Sequence, residues 1–380
     1  MTLRLKAGFA AIVALHLLLA GCGDTFRPVA IPIAKPGGDP ATQHTATVVS
    51  QNGAGIGTIM QIDTSGDTVT AIRDAGHSPV HAASVANGLV VYIANRADDT
   101  ISTVLSGSTD TSNTALPSGS RPVFLLNVGS GIYAADSGTN SVSVMSQGQS
   151  VVVASIAVGT NPVMLAAAQN KLYSVNQGDG TLTVVNTVDS TVAKTIAVGK
   201  APTFGALNND GTQFFVANKG SNTVSVIDTG TDSVIATVPV GAAPSYVVFD
   251  DALRRVYVAN TGSNSVTVLK ADVTPPTVLA TVPVGGAPAS LAALADGTRV
   301  YVANSASGTV SVITTTNNTV LRTVTVGTTP ISIAASSDSA RVIVANRDSG
   351  TISDIRTTDD TVIATLTASS PTPVFVTITP

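Results

Sequence analysis

Residues Phe215–Gly241 read FVANKGSNTVSVIDTGTDSVIATVPVG, and this stretch decides the fold. An apolar run ends at Asn218 and is followed by a polar turn. Residues 223–228 then alternate between polar and apolar side chains, which is the period-2 pattern of a half-buried strand. After a second polar turn, residues 233–238 form a third β-rich run. The stretch therefore predicts three short strands joined by two tight turns, followed by a Gly- and Pro-containing connection.

The same unit recurs along most of the chain. Its first run ends on an Asn or Asp at a spacing of 40 to 44 residues. These strand-end residues are Asn95, Asp136, Asn176, Asn218, Asn260, Asn304 and Asn346. A fixed period of this length with several strands per period is typical of propellers and related repeat folds. The sequence thus predicts an all-β array in which each unit packs on its neighbours.

The repeated string YVAN–TVSVI–V.VG..P resembles the YVTN family of β-propeller repeats, also called surface-layer-type or lactonase-like repeats. Residues 257–260 and 301–304 match it most closely, and the resemblance covers residues 45–380. It implies a ring of four-stranded blades, with strands a to d counted outward from the axis. It implies no activity, because one propeller architecture hosts many functions.

The two ends of the repeat region complete one unit between them. Residues 47–50, 58–62 and 69–73 read as strands b, c and d with no strand a before them. Residues 373–378 read as a strand a with no strand b after it. A shared blade would close the ring and remove unpaired edges. This counting favours eight blades over the seven that the clear YVAN-like motifs alone would give.

The N-terminal region predicts export and anchoring. Residues 1–22 combine Arg4 and Lys6 with an apolar stretch that ends at Leu19-Ala20-Gly21-Cys22. This pattern resembles a bacterial lipoprotein signal with Cys22 as the acylated residue. Residues 23–44 carry regularly spaced prolines and predict an extended tether before the propeller of residues 45–380. We therefore expect an exported lipoprotein at the outer membrane, on its periplasmic side or at the cell surface, held to the membrane by lipid alone.

Composition narrows the possible partners and chemistry. The formal net charge is −4, every acidic residue is Asp, and Cys22 is the one cysteine. A mildly acidic chain has no electrostatic reason to bind nucleic acid. Two of the four His, His16 and His44, lie in the predicted signal and tether, so we expect no metal site and no cofactor. We also assign no catalytic residue, and expect a monomer.

The repeated residues have architectural explanations. The strand-end Asn is expected to cap the turn between strands b and c, and to tolerate a left-handed backbone. An Asp after strand c, such as Asp228, suits the next turn, and Pro suits the first residue of strand a. A residue that serves every blade alike is a poor candidate for a unique site. Function should therefore lie where the repeat is broken.

Departures from the repeat cluster at one predicted mouth of the ring. Four consecutive connections from strand d to strand a carry polar or basic residues where others carry small ones. The position two residues after the connection proline holds several aromatic residues. The candidate ligand-binding residues are His77, His81, Arg121, Phe124, Asn161, Lys200, Phe204 and Tyr246. The competing interpretation is that the aromatic residues are core and the basic ones are solvated loops.

These observations predict a binding or interaction scaffold at the cell envelope. Its partner would be an envelope protein or a small anionic or oxygenated ligand. One alternative is a lactonase-like enzyme acting on a small oxygenated substrate at the mouth, and another is a structural cell-surface protein. A melting temperature that rises with a substrate would favour a ligand or enzyme role, and co-purification of one stoichiometric partner would favour the scaffold.

Overall fold

The fold is described by a computed structural model, which describes residues 44–85, 89–105, 108 and 110–379. Within these residues the chain forms 32 β-strands in eight sheets of four. The described residues include no helix long and apolar enough to cross a membrane. The predicted signal peptide with Cys22 and all but the last residue of the predicted tether lie outside the described residues.

Blade 1 joins the two ends of the repeat region, and its sheet order is β3-β2-β1-β32. Its strands are β1 (Thr45–Asn52), β2 (Gly55–Asp63), β3 (Thr68–His77) and β32 (Thr372–Thr379). Val48 of β1 lies opposite Val376 of β32 in antiparallel register. The predicted closure of the ring by a C-terminal strand is confirmed, and so is the preference for eight blades.

The other seven blades are each built from four consecutive strands. Blade 2 comprises β4 (Pro79–Ser84), β5 (Val90–Asn95), β6 (Thr100–Leu105) and β7 (Thr111–Ala115). Blade 3 comprises β8 (Pro122–Val128), β9 (Gly131–Asp136), β10 (Ser141–Ser146) and β11 (Val152–Ala157). Blade 4 comprises β12 (Pro162–Ala168), β13 (Lys171–Asn176), β14 (Thr181–Asn186) and β15 (Thr191–Ala197). Blade 5 comprises β16 (Pro202–Leu207), β17 (Gln213–Asn218), β18 (Thr223–Asp228) and β19 (Ser233–Pro239).

Blades 6 to 8 repeat the same plan. Blade 6 comprises β20 (Pro244–Asp250), β21 (Arg255–Asn260), β22 (Ser265–Lys270) and β23 (Thr277–Pro283). Blade 7 comprises β24 (Pro288–Ala293), β25 (Arg299–Asn304), β26 (Thr309–Thr314) and β27 (Thr319–Thr325). Blade 8 comprises β28 (Pro330–Ala335), β29 (Arg341–Asn346), β30 (Thr351–Arg356) and β31 (Thr361–Thr367). The innermost strands contact one another in sequence, from β32 through β4 to β28 and back to β32.

The hydrophobic core lies between blades. Apolar residues of strands b and c pack against the facing sheet of the next blade, as Tyr173 and Leu182 of blade 4 do against Phe214 and Ile227 of blade 5. The last such layer joins Ile343 of blade 8 to blade 1. Because each layer needs both of its blades, opening the ring at any junction exposes two apolar faces. The two faces of the ring differ in their turns. We call the face with the b–c turns and the d-to-a connections the crossover face, and the opposite one the latch face.

The strand-end Asn has a different role from the predicted one. Asn218 is fully buried, and its amide nitrogen donates to the hydroxyls of Thr223 and Ser225 on strand c. The left-handed residue is instead the one before strand c, such as Asn222 with φ 57°. Its side chain accepts from the backbone N–H of Ala243 on the next connection. The strand-end Asn is therefore not the left-handed residue of this turn, and its amide ties strands b and c together.

His44, the last residue of the predicted tether, contacts the propeller. It is 5% exposed, and its Nε2 lies 3.1 Å from a carboxylate oxygen of Asp338 in blade 8. Its carbonyl accepts hydrogen bonds from the backbone and the hydroxyl of Thr64 in blade 1. His44 thus bridges the two blades at the junction where the ring closes.

Candidate functional site

The aromatic candidates form a collar around the axis just inside the crossover face. His81, Phe124, Phe204 and Tyr246 each occupy the second position after the proline that begins strand a. The His81 ring lies between those of Phe124 and Phe375, with centroids 4.0 and 4.2 Å away. Phe204 stacks on Tyr246 at 4.1 Å. The structure therefore brings these four candidates, and Phe375 with them, into one half-buried group.

The collar residues turn toward the axis and also pack between neighbouring blades. Phe124 and Phe204 belong to blades 3 and 5, which are not neighbours, yet their ring centroids are 6.4 Å apart in an edge-on arrangement. Met164 of the intervening blade is buried beneath them. Side chains that only filled the space between adjacent blades would not meet across a third one. The collar is thus both core and the floor of the mouth.

The imidazole of His81 carries no positive charge at physiological pH. Burial lowers its pKa from the ordinary value of 6.5 to about 3. Its Nδ1 accepts a hydrogen bond of 3.2 Å from the backbone N–H of Leu125, which requires that nitrogen to be unprotonated. Sequence alone suggested a titratable group at this position, but His81 acts as a neutral ring between two phenyl groups.

Serine residues complete the collar in blades 7 and 8. Ser290 and Ser332 occupy the same position as the aromatic residues and are buried. The Ser332 hydroxyl accepts from the backbone N–H of Val376 at 3.1 Å. Burial raises the pKa of Tyr246, whose hydroxyl is hydrogen-bonded to Ser290, so Tyr246 is a neutral phenol. The mouth therefore has an aromatic side and a smaller hydroxyl-lined side.

The four candidate residues on the connections do not contact one another. Each is held by a b–c turn. The His77 Nδ1 lies 2.8 Å from the Asp98 carboxylate, and the Asn161 amide donates to Gln177 at 3.1 Å. The backbone N–H of Lys200 donates to the Ser221 hydroxyl. These connections therefore place separate side chains around one rim.

Arg121 and Lys200 are the exposed cations of this rim. Neither forms an ion pair with any residue in the described ranges, whereas His77 is engaged by Asp98. Arg121 has a left-handed φ of 49°, and its backbone N–H donates to Asp99 at 2.7 Å. The aliphatic part of its side chain lies against Gly138. The backbone at Arg121 is thus anchored while its guanidinium remains available.

Asp136 is an unusual buried carboxyl on the same face. It stands where other blades have the strand-end Asn, is 0% exposed, and accepts from the Ser143 hydroxyl at 2.6 Å. Its second oxygen has no donor among the described residues, and neither does the buried hydroxyl of Ser120. Burial raises the pKa of Asp136 to about 6. An alignment of the repeats with one another could have identified this residue, since Asp136 is the one Asp among the strand-end residues.

A repeated contact that the sequence analysis missed joins blades on the latch face. A basic residue opens strand b, a Tyr follows two residues later, and both reach the c–d turn of the next blade. Lys171 Nζ lies 2.7 Å from Asp232, and the Tyr173 hydroxyl donates to the same carboxylate at 2.7 Å. We call this arrangement the latch.

Blades 6 and 7 have latches of the same design. Arg299 and Tyr301 of blade 7 both contact Asp360 of blade 8. In blade 6, Arg255 reaches the Asn318 amide oxygen at 3.2 Å and the Thr315 carbonyl at 2.5 Å. Arg255 is therefore a structural residue of the junction between blades 6 and 7.

The latch at the closing junction is altered. Blade 8 has Arg341 but carries Ile343 in place of Tyr, and Asp354 replaces the Val that strand c has in blades 3 to 7. Asp354 is 3% exposed, and neither of its carboxyl oxygens has a hydrogen-bond partner among the described residues. The nearby carboxyl of Asp67 in blade 1 disfavours the charged form of Asp354 further. Burial, followed by Asp67, raises the pKa of Asp354, and nearby Arg341 opposes the rise.

The described residues contain no group of three or more His, Cys, Asp or Glu side chains placed to hold a metal ion. The crossover face presents exposed cations, which include Arg96 and Lys219 of the b–c turns besides Arg121 and Lys200, together with a neutral imidazole, aromatic rings and hydroxyls.

Comparisons with known proteins agree with this architecture. A family model described as YNCE-like beta-propeller matches residues 139–291. The chain is a β-propeller. No curated protein matches the sequence significantly.

Solved structures show the same fold at low sequence identity. Hydrazine synthase of Kuenenia stuttgartiensis is 18% identical with a TM-score of 0.61, over 74% of this chain and 96% of that one. Apo AztD of Citrobacter koseri is 12% identical with a TM-score of 0.67, over 89% and 98%. A putative 6-phosphogluconolactonase of Bacteroides fragilis is 15% identical with a TM-score of 0.62, over 90% and 100%. These propellers differ in function, so the likeness supports the fold alone.

Proposed function

We propose that this propeller is a binding scaffold of the cell envelope, and that its crossover-face mouth binds a small anionic, oxygen-rich ligand or an envelope protein that presents such a group. The observation that carries the proposal is the pair of exposed cations, Arg121 and Lys200, beside the aromatic side of the collar. Both depart from the repeat, and neither is used in an ion pair within the described residues.

The electrostatic argument rests on Arg121 and Lys200, since His81 is neutral. In a chain with a formal net charge of −4, two unpaired cations on one rim create a local positive potential. The planar guanidinium of Arg121 can hold a carboxylate or phosphate through two parallel hydrogen bonds, which Lys cannot copy. Lys200 would act as a point charge. An anionic group is therefore the expected anchor of the ligand.

The collar supplies the rest of the mouth. Half-buried rings such as Phe204 and Tyr246 offer an apolar surface, and Tyr246 also offers a hydroxyl. Ligand sites commonly combine an apolar lining with a few placed polar groups. A ligand with an anionic head and an apolar or ring-shaped body would use both the rim and the collar.

The location at the envelope rests on the N-terminal sequence. If Cys22 is acylated, several buried acyl chains at about 0.8 kcal/mol per CH₂ hold the propeller stably at the membrane. The variant Cys22→Ala should then leave the membrane fraction and fail to incorporate a palmitate analogue. Retention of label and of membrane association by this variant would show that anchoring has another origin.

The binding proposal is tested with defined anions. Thermal unfolding of the soluble propeller, starting at residue 41, is followed by circular dichroism with phosphate, citrate and benzoate. At least one anion should raise the melting temperature of the unchanged chain, because ligand binding to the folded state stabilises it. The double variant Arg121→Ala with Lys200→Ala should lose this response.

The matched control removes two cations from the latch face instead. Arg254 and Lys270 are exposed and form weak ion pairs at 3.4 and 3.7 Å with Asp210 and Asp272. The double variant Arg254→Ala with Lys270→Ala changes the net charge equally and should keep the response. Loss of the response in the control pair alone would place the site on the other face. An equal loss in both pairs would show a non-specific charge effect.

A further inference from the structure

A groove of about 500 Å³ opens on the latch face between blades 3 and 4. Gly131 and Tyr133 of strand b in blade 3 form one wall. Thr187 and Ser190 of the c–d turn in blade 4 form another, with Gln169 at the rim. The residues that line the groove carry no formal charge. The volume falls within the range of about 300–1,000 Å³ that is common for ligand sites.

The groove occupies the position of a latch that is missing its charged partners. Gly131 stands where blade 4 has Lys171 and blade 7 has Arg299. Ser190 stands where the c–d turns of blades 5 and 8 carry Asp232 and Asp360. The Tyr of the latch is kept as Tyr133, and the Thr that begins the turn is kept as Thr187. Blade 3 therefore retains the frame of the latch, which is its Tyr and the Thr of the facing turn, and lacks the basic side chain that blades 4, 6 and 7 place there.

The intact latches show what such a frame binds. Lys171 Nζ donates to the carbonyl of Thr229 at 2.8 Å, and Thr229 corresponds to Thr187 in the groove. The Arg255 guanidinium donates to the carbonyl of Thr315, which is again the corresponding Thr. At that junction the turn offers only the neutral amide of Asn318. A carboxylate is thus not required for the frame to hold a guanidinium.

We propose that the groove between blades 3 and 4 binds an Arg or Lys side chain presented by a partner polypeptide, which takes the place of the missing internal latch residue. The guanidinium or ammonium group would lie between the Thr187 carbonyl and Tyr133. The exposed carboxylate of Asp189 lies beside Ser190 in the same turn. An acidic chain adds a favourable long-range potential for a basic partner.

The surface around the groove suits contact with a polypeptide. Val151, Val153 and Val188 flank it and are 59%, 57% and 76% exposed. Val153 also lines the groove. Exposed apolar side chains around a pocket that anchors one residue are typical of interaction sites. The site lies on the face opposite Arg121 and Lys200, so it is independent of the proposed function.

A variant that fills the groove with side chains of the propeller itself should block the site. A Cβ atom added at Gly131 would lie 2.9 Å from the Tyr133 ring, so that ring must turn aside for a side chain to fit. In the latches of blades 4 and 7 the Tyr hydroxyl donates to the turn carboxylate. The double variant Gly131→Arg with Ser190→Asp provides both the basic residue and that carboxylate. We expect it to unfold at or above the temperature of the unchanged chain.

Backbone amide NMR reads the groove directly. The amides of Gly131 and Thr187 belong to residues that line it, whereas those of Arg299 and Asp360 in the latch between blades 7 and 8 lie elsewhere and serve as internal references. The propeller labelled with nitrogen-15 is titrated with the peptide acetyl-Gly-Arg-Gly-amide. We expect saturable shifts of the groove amides alone, with half-saturation on the order of 1–10 mM for a single anchoring side chain.

Two comparisons decide the outcome. The same peptide with citrulline in place of Arg removes the charge and keeps the shape, and it should bind at least tenfold more weakly. The Gly131→Arg, Ser190→Asp variant should give no saturable shift of the groove amides, such as that of Thr187, while remaining folded. If that variant does not fold, Gly131→Lys serves in its place. The proposal is overturned if the Arg peptide causes no shift, if citrulline binds equally well, or if the filled groove still responds.

Discussion

Replacing Asp354 by Val should stabilise the propeller, and increasingly so as the pH rises. The buried carboxyl lies near Asp67 at the junction of blades 8 and 1, where blades 3 to 7 place Val in the same column. Arg341 and Asp67 occupy the sequence positions that Arg299 and Asp360 hold in the latch of blade 7. Exchanging buried ionisable groups for well-packed apolar ones is often stabilising by about 1–4 kcal/mol.

The pH dependence follows from the raised pKa of Asp354. In the unfolded chain this carboxyl ionises near its ordinary pKa of about 3.9. In the folded chain it keeps its proton to a higher pH, so the native state binds more protons over that window. The free energy of unfolding therefore falls as the pH rises, by up to about 1.4 kcal/mol per pH unit from this group. Below pH 4 the carboxyl is protonated in both states and the penalty disappears.

The assay is urea unfolding followed by circular dichroism, repeated at intervals from pH 5 to pH 8. The free-energy difference between Asp354→Val and the unchanged chain should widen steadily over this range. The variant Asp354→Asn removes the titration but keeps a buried polar group, so it should share the flattened pH dependence and gain less stability. A difference that stays within about 0.3 kcal/mol per pH unit would mean that Asp354 is ionised in the folded protein, and the reasoning would be wrong.

Three further changes test other parts of the fold by the same unfolding assay. Tyr301→Phe should cost about 1–3 kcal/mol, because it removes a hydrogen bond to the buried carboxylate of Asp360, whereas Tyr257→Phe, whose turn offers no carboxylate, should cost less than about 1 kcal/mol. Asp136→Asn should stabilise the protein by up to about 3 kcal/mol above pH 7. Because the native pKa of Asp136 is about 6, the free energy of unfolding of the unchanged chain falls between about pH 4 and pH 6. Removal of residues 371–380 takes away β32 and should cause aggregation or a large drop in melting temperature, whereas removal of residues 23–40 should do little; equal effects would contradict the closure of blade 1 by β32.

The architecture could be predicted because each repeat contains the same strands in the same order. Residues 47–50 and 373–378 were each incomplete as units, and only pairing them with each other satisfies both. The structure shows that pairing in β1 and β32. The count of eight blades followed from it, even though blade 1 lacks the YVAN-like string. Local pattern and global closure pointed to the same answer, which is the usual property of a sequence that specifies one fold.

The latches were harder to predict from the sequence than the blades. Lys171 and Asp232 meet across a junction but lie 61 residues apart, so no local pattern links them. A signal was nevertheless present, because basic residues recur at the start of strand b and Asp or Asn recurs in the c–d turns. The protonation state of His81 could not be predicted from the sequence for another reason. Its neutrality depends on enclosure by Phe124 and Phe375, which are far apart in the sequence.

Blade 3 concentrates the departures from the repeat on both faces of the ring. On the crossover face it carries Arg121 and the buried Asp136, and on the latch face it carries Gly131 opposite Ser190. On the crossover face, a carboxyl replaces the amide that ties strands b and c in other blades, and one of its oxygens is left without a donor among the described residues. On the latch face, the charged pair that blades 4 and 7 keep is missing. Rules broken without structural compensation mark the places where function is expected. Blade 3 and its neighbours are therefore where both binding proposals should be tested first.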